Sequence, residues 1–351
     1  MEYFAAMPVD FEKVKRLGEG NFGEVWLANE IGLGIQCALK CIPKAKIFNQ
    51  ENFFHEAQII KQVEHENIIK VFDTGMLDDD TIYISMEYAR RGSLDDESEG
   101  AHLPISRAKR IFIDVLRGVE FIHSHGVIHR DIKPANILIG ERKEAKLSDF
   151  GLAIPINAGL DPAKLKTNYK YIIHLAPEVE NFSDFSTFSD IYACGVTFYR
   201  LLNGDVFLPA PNPLKIIDDI RRGKFPNRKL YREFIPKQLR TVLNKAMDVD
   251  PARRFSSAEE FRHAIEKVMT VANWHEKRVL NGTQWVNSQG KDCFVVRRTK
   301  KGGRYFVETK KGTNISDGRK IGKHSGVFTD EKSAISFTKE VLQGFVTGKY
   351  K

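Results

Sequence analysis

Over residues 11–87 the chain alternates apolar and polar positions in short runs: VKRLGEG, GEVWLANE, QCALKCI, NIIKVFDTG and TIYISMEY. Turns rich in Gly and Asp separate them. A period of two with this punctuation predicts antiparallel strands. One segment breaks the period: across residues 52–63, Phe53, Ala57, Ile60 and Val63 fall near helical spacing, which predicts a single helix inside the β-rich region. Over residues 105–270 helical patterns dominate, as in SRAKRIFIDVLRGVEFIHSHG. The most apolar run, residues 191–202, is interrupted by Arg200. It falls short of the ~18 apolar residues of a membrane span and predicts a buried helix.

The pattern changes again after residues 274–281, which read as a boundary. TQWVN, CFVVRRT and RYFVETK predict three short strands joined by Gly-containing turns. Residues 329–344 predict an amphipathic helix capped by Thr329 or Asp330, with Ala334, Phe337 and Val341 as its apolar stripe. The fold class is therefore α+β. A β-rich unit at 11–87 and a helical unit at 90–272 follow a short N-terminal extension at 1–10, and a small βββα unit occupies 281–351.

Length agrees with this division, since 351 residues exceed the ~100–200 typical of one domain. Charge sharpens it. The net charge is +8, but residues 277–351 hold 17 Lys and Arg against 6 Asp and Glu, a balance of +11, while the remainder is at −3. The basic character thus belongs to the tail. Cys37, Cys41, Cys194 and Cys293 are scattered without metal-type spacing and read as reduced thiols of a cytoplasmic protein. The opening MEYFAAMPVD lacks the basic and apolar regions of a signal peptide, and no membrane association is expected.

The chemistry concentrates in HRDIKPAN, from His129 to Asn136, followed thirteen positions later by Asp149-Phe150-Gly151. Asp131 and Asn136 share one short loop. A carboxylate that takes a hydroxyl proton, with an amide and a second carboxylate that hold Mg²⁺, is what phosphoryl transfer requires. Upstream, Gly18-x-Gly20-x-x-Gly23-x-Val25 lies between two strand patterns. Glycines there permit a tight turn and let backbone N–H groups approach phosphates. A strand follows rather than a helix, which argues against a dinucleotide-binding fold. Lys40, in CALK, comes fifteen residues after Val25.

Together these motifs resemble the protein kinase family, over residues 11–270. The resemblance implies a two-lobed kinase fold, ATP and Mg²⁺ as cofactors, and protein substrates. It implies that Lys40 contacts the α- and β-phosphates and pairs with Glu56, which is preferred over Glu51 because Ile60 follows it one turn later. Asp131 would orient and deprotonate the hydroxyl, Lys133 would contact the transferred phosphate, and Asn136 and Asp149 would hold the metal. Leu17, Gly18, Gly20, Gly23, Val25 and Ala38 would cover the nucleotide, with Leu138 beneath it. Met86 would be the gatekeeper, and Glu87 and Ala89 would offer backbone groups to adenine. Ile60, Val71, His129 and Phe150 would form the column joining the lobes. Asp190 would brace the catalytic loop, and Arg254 would pair with Glu178 of Ala176-Pro177-Glu178.

Lys133 is the serine/threonine type. Tyr171 and His174 depart from that pattern, so tyrosine or dual specificity stays open, and Ala135 withholds any preference for basic substrates. Arg130 is placed to clamp a phosphate on the activation segment. Thr167, Tyr169 and Tyr171, beside Lys164, Lys166 and Lys170, are the candidates for autophosphorylation. A nucleotide-binding scaffold of low turnover and a small-molecule kinase are the rivals; Glu178, Asp190 and Arg254 favour a protein substrate.

In the tail, Trp285, Phe294, Tyr305 and Phe306 interleave with Arg297, Arg298, Lys300, Lys301, Arg304, Lys310 and Lys311. This loosely resembles small three-stranded DNA-binding domains of the integrase-arm or plant AP2 type. Nucleic-acid binding, protein docking and a plain solvated basic surface remain as readings.

Overall fold

The computed structural model describes residues 10–20, 23–32, 34–46, 61, 64–149, 172–179, 185–208 and 212–350. The helix expected at 52–63, with Glu51, Glu56 and Ile60, lies outside the described residues but for Lys61. So do Phe150, Gly151, Thr167, Tyr169 and Tyr171.

Five antiparallel strands form the first sheet: β1 (Phe11–Gly20), β2 (Gly23–Glu30), β3 (Ile35–Pro43), β4 (Val71–Asp78) and β5 (Thr81–Glu87). Their order is β1-β2-β3-β5-β4. Central β3 is covered on both sides. Cys37, Leu39 and Cys41 join Ala28 and Tyr83 in one apolar cluster, while Ala38 and Ile42 join the main core. Strand alternation puts Lys40 on the second face, with Ala38 and Ile42, towards the helical lobe.

The helical lobe contains α1 (Leu94–Ser98), α2 (Ile105–Ser124), α3 (Thr187–Asn203), α4 (Pro213–Arg221), α5 (Lys237–Ala246) and α6 (Ala258–Glu266). A small ribbon, β6 (Ile137–Ile139) with β7 (Ala145–Leu147), follows the HRDIKPAN loop. Helix α2 buries Ala108, Ile111, Phe112, Val115 and Val119 along one stripe. Helix α3 contains the run read as a buried helix, and it is buried almost all round. A Ser186–Ser189 capping box starts it. Arg200 is tolerated inside it because Asp205 accepts from both Nε and Nη2 at 2.9 Å. Among the described residues no helix is long and apolar enough to cross a membrane.

The tail holds six strands rather than the three predicted: β8 (His275–Val279), β9 (Gly282–Gln289), β10 (Asp292–Lys301), β11 (Arg304–Gly312), β12 (Gly318–Lys320) and β13 (Gly326–Phe328). They run in the order β12-β11-β10-β9-β8, with β13 also on β11. The extra strands are invisible to periodicity. HEKRV in β8 has one apolar residue, and β12 and β13 are three residues each. Helix α7 (Glu331–Val346) covers one face, and Asp330, not Thr329, caps it by accepting from the Ser333 N–H at 2.8 Å.

Strand β8 lies inside the stretch read as a boundary, so no spacer intervenes there between the tail sheet and the lobe. Trp274, Trp285, Phe294 and Phe345 belong to the same buried cluster as Phe112 and Leu243. Trp274 Nε1 donates to the Leu342 carbonyl at 3.1 Å, and the Val271 N–H donates to Val346 at 2.8 Å. Two ion pairs frame the junction: Arg232 with Glu276 at 2.9 Å, and Arg298 with Glu233, also at 2.9 Å.

Candidate active site

The HRDIKPAN loop is held from below by α3. Asp190 is fully buried; its Oδ2 accepts the His129 N–H at 2.8 Å and its Oδ1 accepts the Arg130 N–H at 2.9 Å. His123 Nε2 also reaches Oδ2 at 2.8 Å. Thr197 Oγ1 donates to the Ile132 carbonyl at 3.2 Å. These contacts over-determine a loop whose Arg130 sits in the left-handed region, at φ 70°, a conformation that costs a non-glycine residue roughly 1–3 kcal/mol. Asp190 thus stands where the resemblance put it. His123 and Thr197 were not anticipated, and nothing local in the sequence marks them.

His129 fixes the loop from within. Its Nδ1 accepts the Asp131 N–H at 3.2 Å, so Nε2 carries the proton and donates to the Ser148 carbonyl at 3.1 Å. Burial pushes its pKa down to about 4, so the ring stays neutral.

Asp131 is the focus of the loop. Its Oδ2 accepts from Lys133 Nζ at 2.7 Å and from Asn136 Nδ2 at 2.8 Å. Its Oδ1 is buried and has no hydrogen-bond partner. Burial raises the carboxyl to about 6, against the pull of Lys133. A carboxylate with one uncommitted oxygen and a pKa this close to neutrality is suited to accept a proton.

Asn136 Nδ2 also donates to the Asp131 carbonyl at 2.8 Å, which leaves the amide oxygen as its acceptor. Asp149, at φ 57°, forms an ion pair with Lys40. Burial pushes Asp149 up, but Lys40, with Lys133, outweighs it and holds the carboxyl below its ordinary value. An amide oxygen and an ionised carboxylate are hard donors. They fit Mg²⁺, which takes few protein ligands and completes its octahedron with water and phosphate oxygens. Among the described residues no cluster of three or more His, Cys, Asp or Glu could hold a metal ion.

Strand pairing sets several of the predicted nucleotide-facing residues side by side. Ala38 pairs with Met86 across β3 and β5, and Val25 with Lys40 across β2 and β3. Val25, Ala89 and Leu138 are half-buried against the main core. Leu17 is more exposed, near the β1–β2 tip, where Gly18 pairs with Val25 and Gly20 with Gly23. A Cβ on Gly23 would stand 1.9 Å from the Cys41 carbonyl oxygen, so only glycine fits there. Glu87 is tied on both sides: its N–H donates to the Lys70 carbonyl at 2.8 Å and its carboxylate holds Lys146 at 2.8 Å.

Further out, Arg254 grips Glu178 with two bonds of 2.7 Å and lies over the Tyr192 ring. His174, which departs from the serine/threonine pattern, is buried and meets Arg200 Nη1 at 3.3 Å. In the sequence, Arg200 was only a break in an apolar run.

Residues 11–265 match the family profile described as "Protein kinase domain". The chain belongs to the protein kinase family. It is 30% identical over 251 residues to CBL-interacting protein kinase 11 of Oryza sativa subsp. japonica, covering 70% of this chain and 49% of that one. It is 32% identical over 257 residues to the SNF1-related protein kinase catalytic subunit alpha KIN12 of Arabidopsis thaliana, covering 71% and 50% respectively. Against the serine/threonine-protein kinase SIK2 of Gallus gallus it is 32% identical over 260 residues, covering 73% of this chain and 32% of that one. The chain spans about half the length, or less, of these curated relatives. The kinase match stops before β8, so the tail sheet lies beyond it.

Proposed function

We propose that this protein is a serine/threonine kinase that transfers the ATP γ-phosphate to protein hydroxyls with Mg²⁺. The observation that carries this reading is Asp131: a buried carboxylate, positioned through one oxygen by Lys133 and Asn136, with the other oxygen uncommitted. Asp131 accepts the acceptor hydroxyl's proton as that oxygen attacks phosphorus. Lys133, 2.7 Å from Asp131, neutralises charge on the transferring phosphoryl group. Lys40 contacts the non-transferred phosphates, and Asn136 and Asp149 hold the metal, which supplies charge neutralisation between phosphates. Ala38, Met86 and Leu138 enclose the adenine. Glu56 pairs with Lys40 in the active state. The serine/threonine assignment is supported by Lys133 and by the similarity to the serine/threonine-protein kinase SIK2.

Activity is regulated by autophosphorylation at Thr167 or Tyr169, with Arg130 receiving the phosphate. Transfer of labelled phosphate from ATP, compared with Asp131→Ala and Lys40→Ala, tests the enzyme. Both variants are expected to lose signal, and equal signal in all three rejects the reading. Phosphoamino-acid analysis decides the acceptor hydroxyl. Phosphopeptide mapping that finds no modification at residues 155–175 in active protein rejects the regulatory step.

A further inference from the structure

The tail sheet ends in a charged tip that phosphoryl transfer does not use. Strands β10 and β11 form a hairpin closed by Gly302 and Gly303, both with positive φ (55° and 76°), as a tight two-residue turn requires. Neighbouring β9 stops opposite Thr299, and β13 stops opposite Tyr305. Lys301 and Arg304 therefore project beyond the flanking strands at the end of a two-stranded ribbon, with Lys300 held beside the β8–β9 turn, where its N–H donates to the Asn281 carbonyl at 2.9 Å. Arg278 stands on β8, separated from the hairpin by β9. A cleft of about 600 Å³ opens there, lined by Arg278, Arg298, Lys300, Lys301 and Tyr305, with Glu331 as its acidic member.

Charge at this tip is left open. Arg298 is matched by Glu233, and Lys310 and Lys311 by Glu308 and Asp292. Among the described residues no carboxylate pairs with Arg278, Lys300, Lys301 or Arg304, although Lys300 lies over the Tyr305 ring. A protein partner would need an apolar centre to desolvate. Here the exposed apolar groups, Leu280 and Val327, sit on opposite edges, about 19 Å apart at ~4.8 Å per strand, and form no patch. Polyanion binding needs no such centre, because release of condensed counterions drives it. The two-stranded end also has the width that the B-DNA major groove, about 12 Å across, admits; the A-form major groove is too narrow for it.

We propose that this hairpin tip docks in the major groove of duplex DNA, with Arg278, Lys300, Lys301 and Arg304 on backbone phosphates. The tip would anchor the kinase to DNA without itself choosing a sequence. Binding is read without ATP, so its outcome is independent of the kinase reading.

The test uses the full chain and a fluorescein-labelled 20-base-pair duplex of mixed sequence, followed by anisotropy between 50 and 200 mM salt. Four phosphate contacts predict a slope of log K against log salt of about −3 to −4. The quadruple variant R278Q/K300Q/K301Q/R304Q is expected to bind at least ~10-fold more weakly at 50 mM salt and to flatten the slope, with its melting temperature unchanged. No binding at 50 mM salt, or equal binding by the variant, overturns the proposal. So does equal or tighter binding to an RNA duplex of the same sequence, or to phosphatidylserine vesicles.

Discussion

In and around the catalytic loop, buried charges are bound to named partners: Asp190 to His123 and two backbone N–H groups, Asp131 to Lys133 and Asn136, Arg254 to Glu178. At the β10–β11 tip, Lys300, Lys301 and Arg304 are exposed and form no ion pair among the described residues, although Glu331 lines the same cleft. Burial makes the difference. A buried charge is stable only in one arrangement, so identity and position both matter there. An exposed charge contributes through its field, so at the tip the sum matters more than any single side chain. A molecule can therefore carry a rigid reaction centre and a tolerant binding surface on one core.

Substitutions can break this comparison. The largest effect is expected for Asp131→Asn, with a loss of roughly 10²–10⁴ in rate, read by single-turnover phosphate transfer. The same change should raise stability at pH 7. The folded pKa of about 6 lies above the ordinary carboxyl value, so the stabilising contribution is fully present below that ordinary value and is lost as pH rises through 6. Removing the charge then relieves roughly 2–3 kcal/mol, read as a higher denaturation midpoint.

Next comes Trp285→Ala at the junction of lobe and tail, expected to cost about 3–5 kcal/mol. Calorimetry should show one transition moving as a whole; a separate tail transition would mean that the shared core does not couple the two parts. Asp190→Ala leaves two backbone N–H groups without their acceptor, at ~1–3 kcal/mol each, and should lower both the unfolding midpoint and phosphate transfer. Wild-type kcat/KM should fall about tenfold per pH unit below 6 as Asp131 protonates, which a pH–rate profile checks. The smallest effect is expected for Lys300→Gln: within about 0.5 kcal/mol in stability, as for most surface changes.

The legible parts of the site were those in which chemistry fixes residue type at short spacing. Asp131, Asn136 and Asp149 needed no tertiary information to be singled out. Asp190 became readable only through family resemblance. His123, 67 positions before it, and Thr197, 65 after Ile132, act across packed helices and leave no local trace. His174 looked anomalous until Arg200 was found beside it. In the fold, β9, β10 and β11 were legible because their length allows a pattern to develop. The charged HEKRV strand was not, because β8 gains its conformation from pairing with β9 rather than from its own alternation.

The junction has a consequence for reach. A binding module on a flexible tether lets its cargo sample a wide volume, and the tether's length sets the effective concentration at the catalytic centre. Here β8 enters the tail sheet directly, and Trp274 and Trp285 lock that sheet into the core of the helical lobe. Cargo held at the tail would meet Asp131 along a fixed vector. Acceptor hydroxyls at the matching distance would see a high local concentration of enzyme, and those nearer or farther would see almost none.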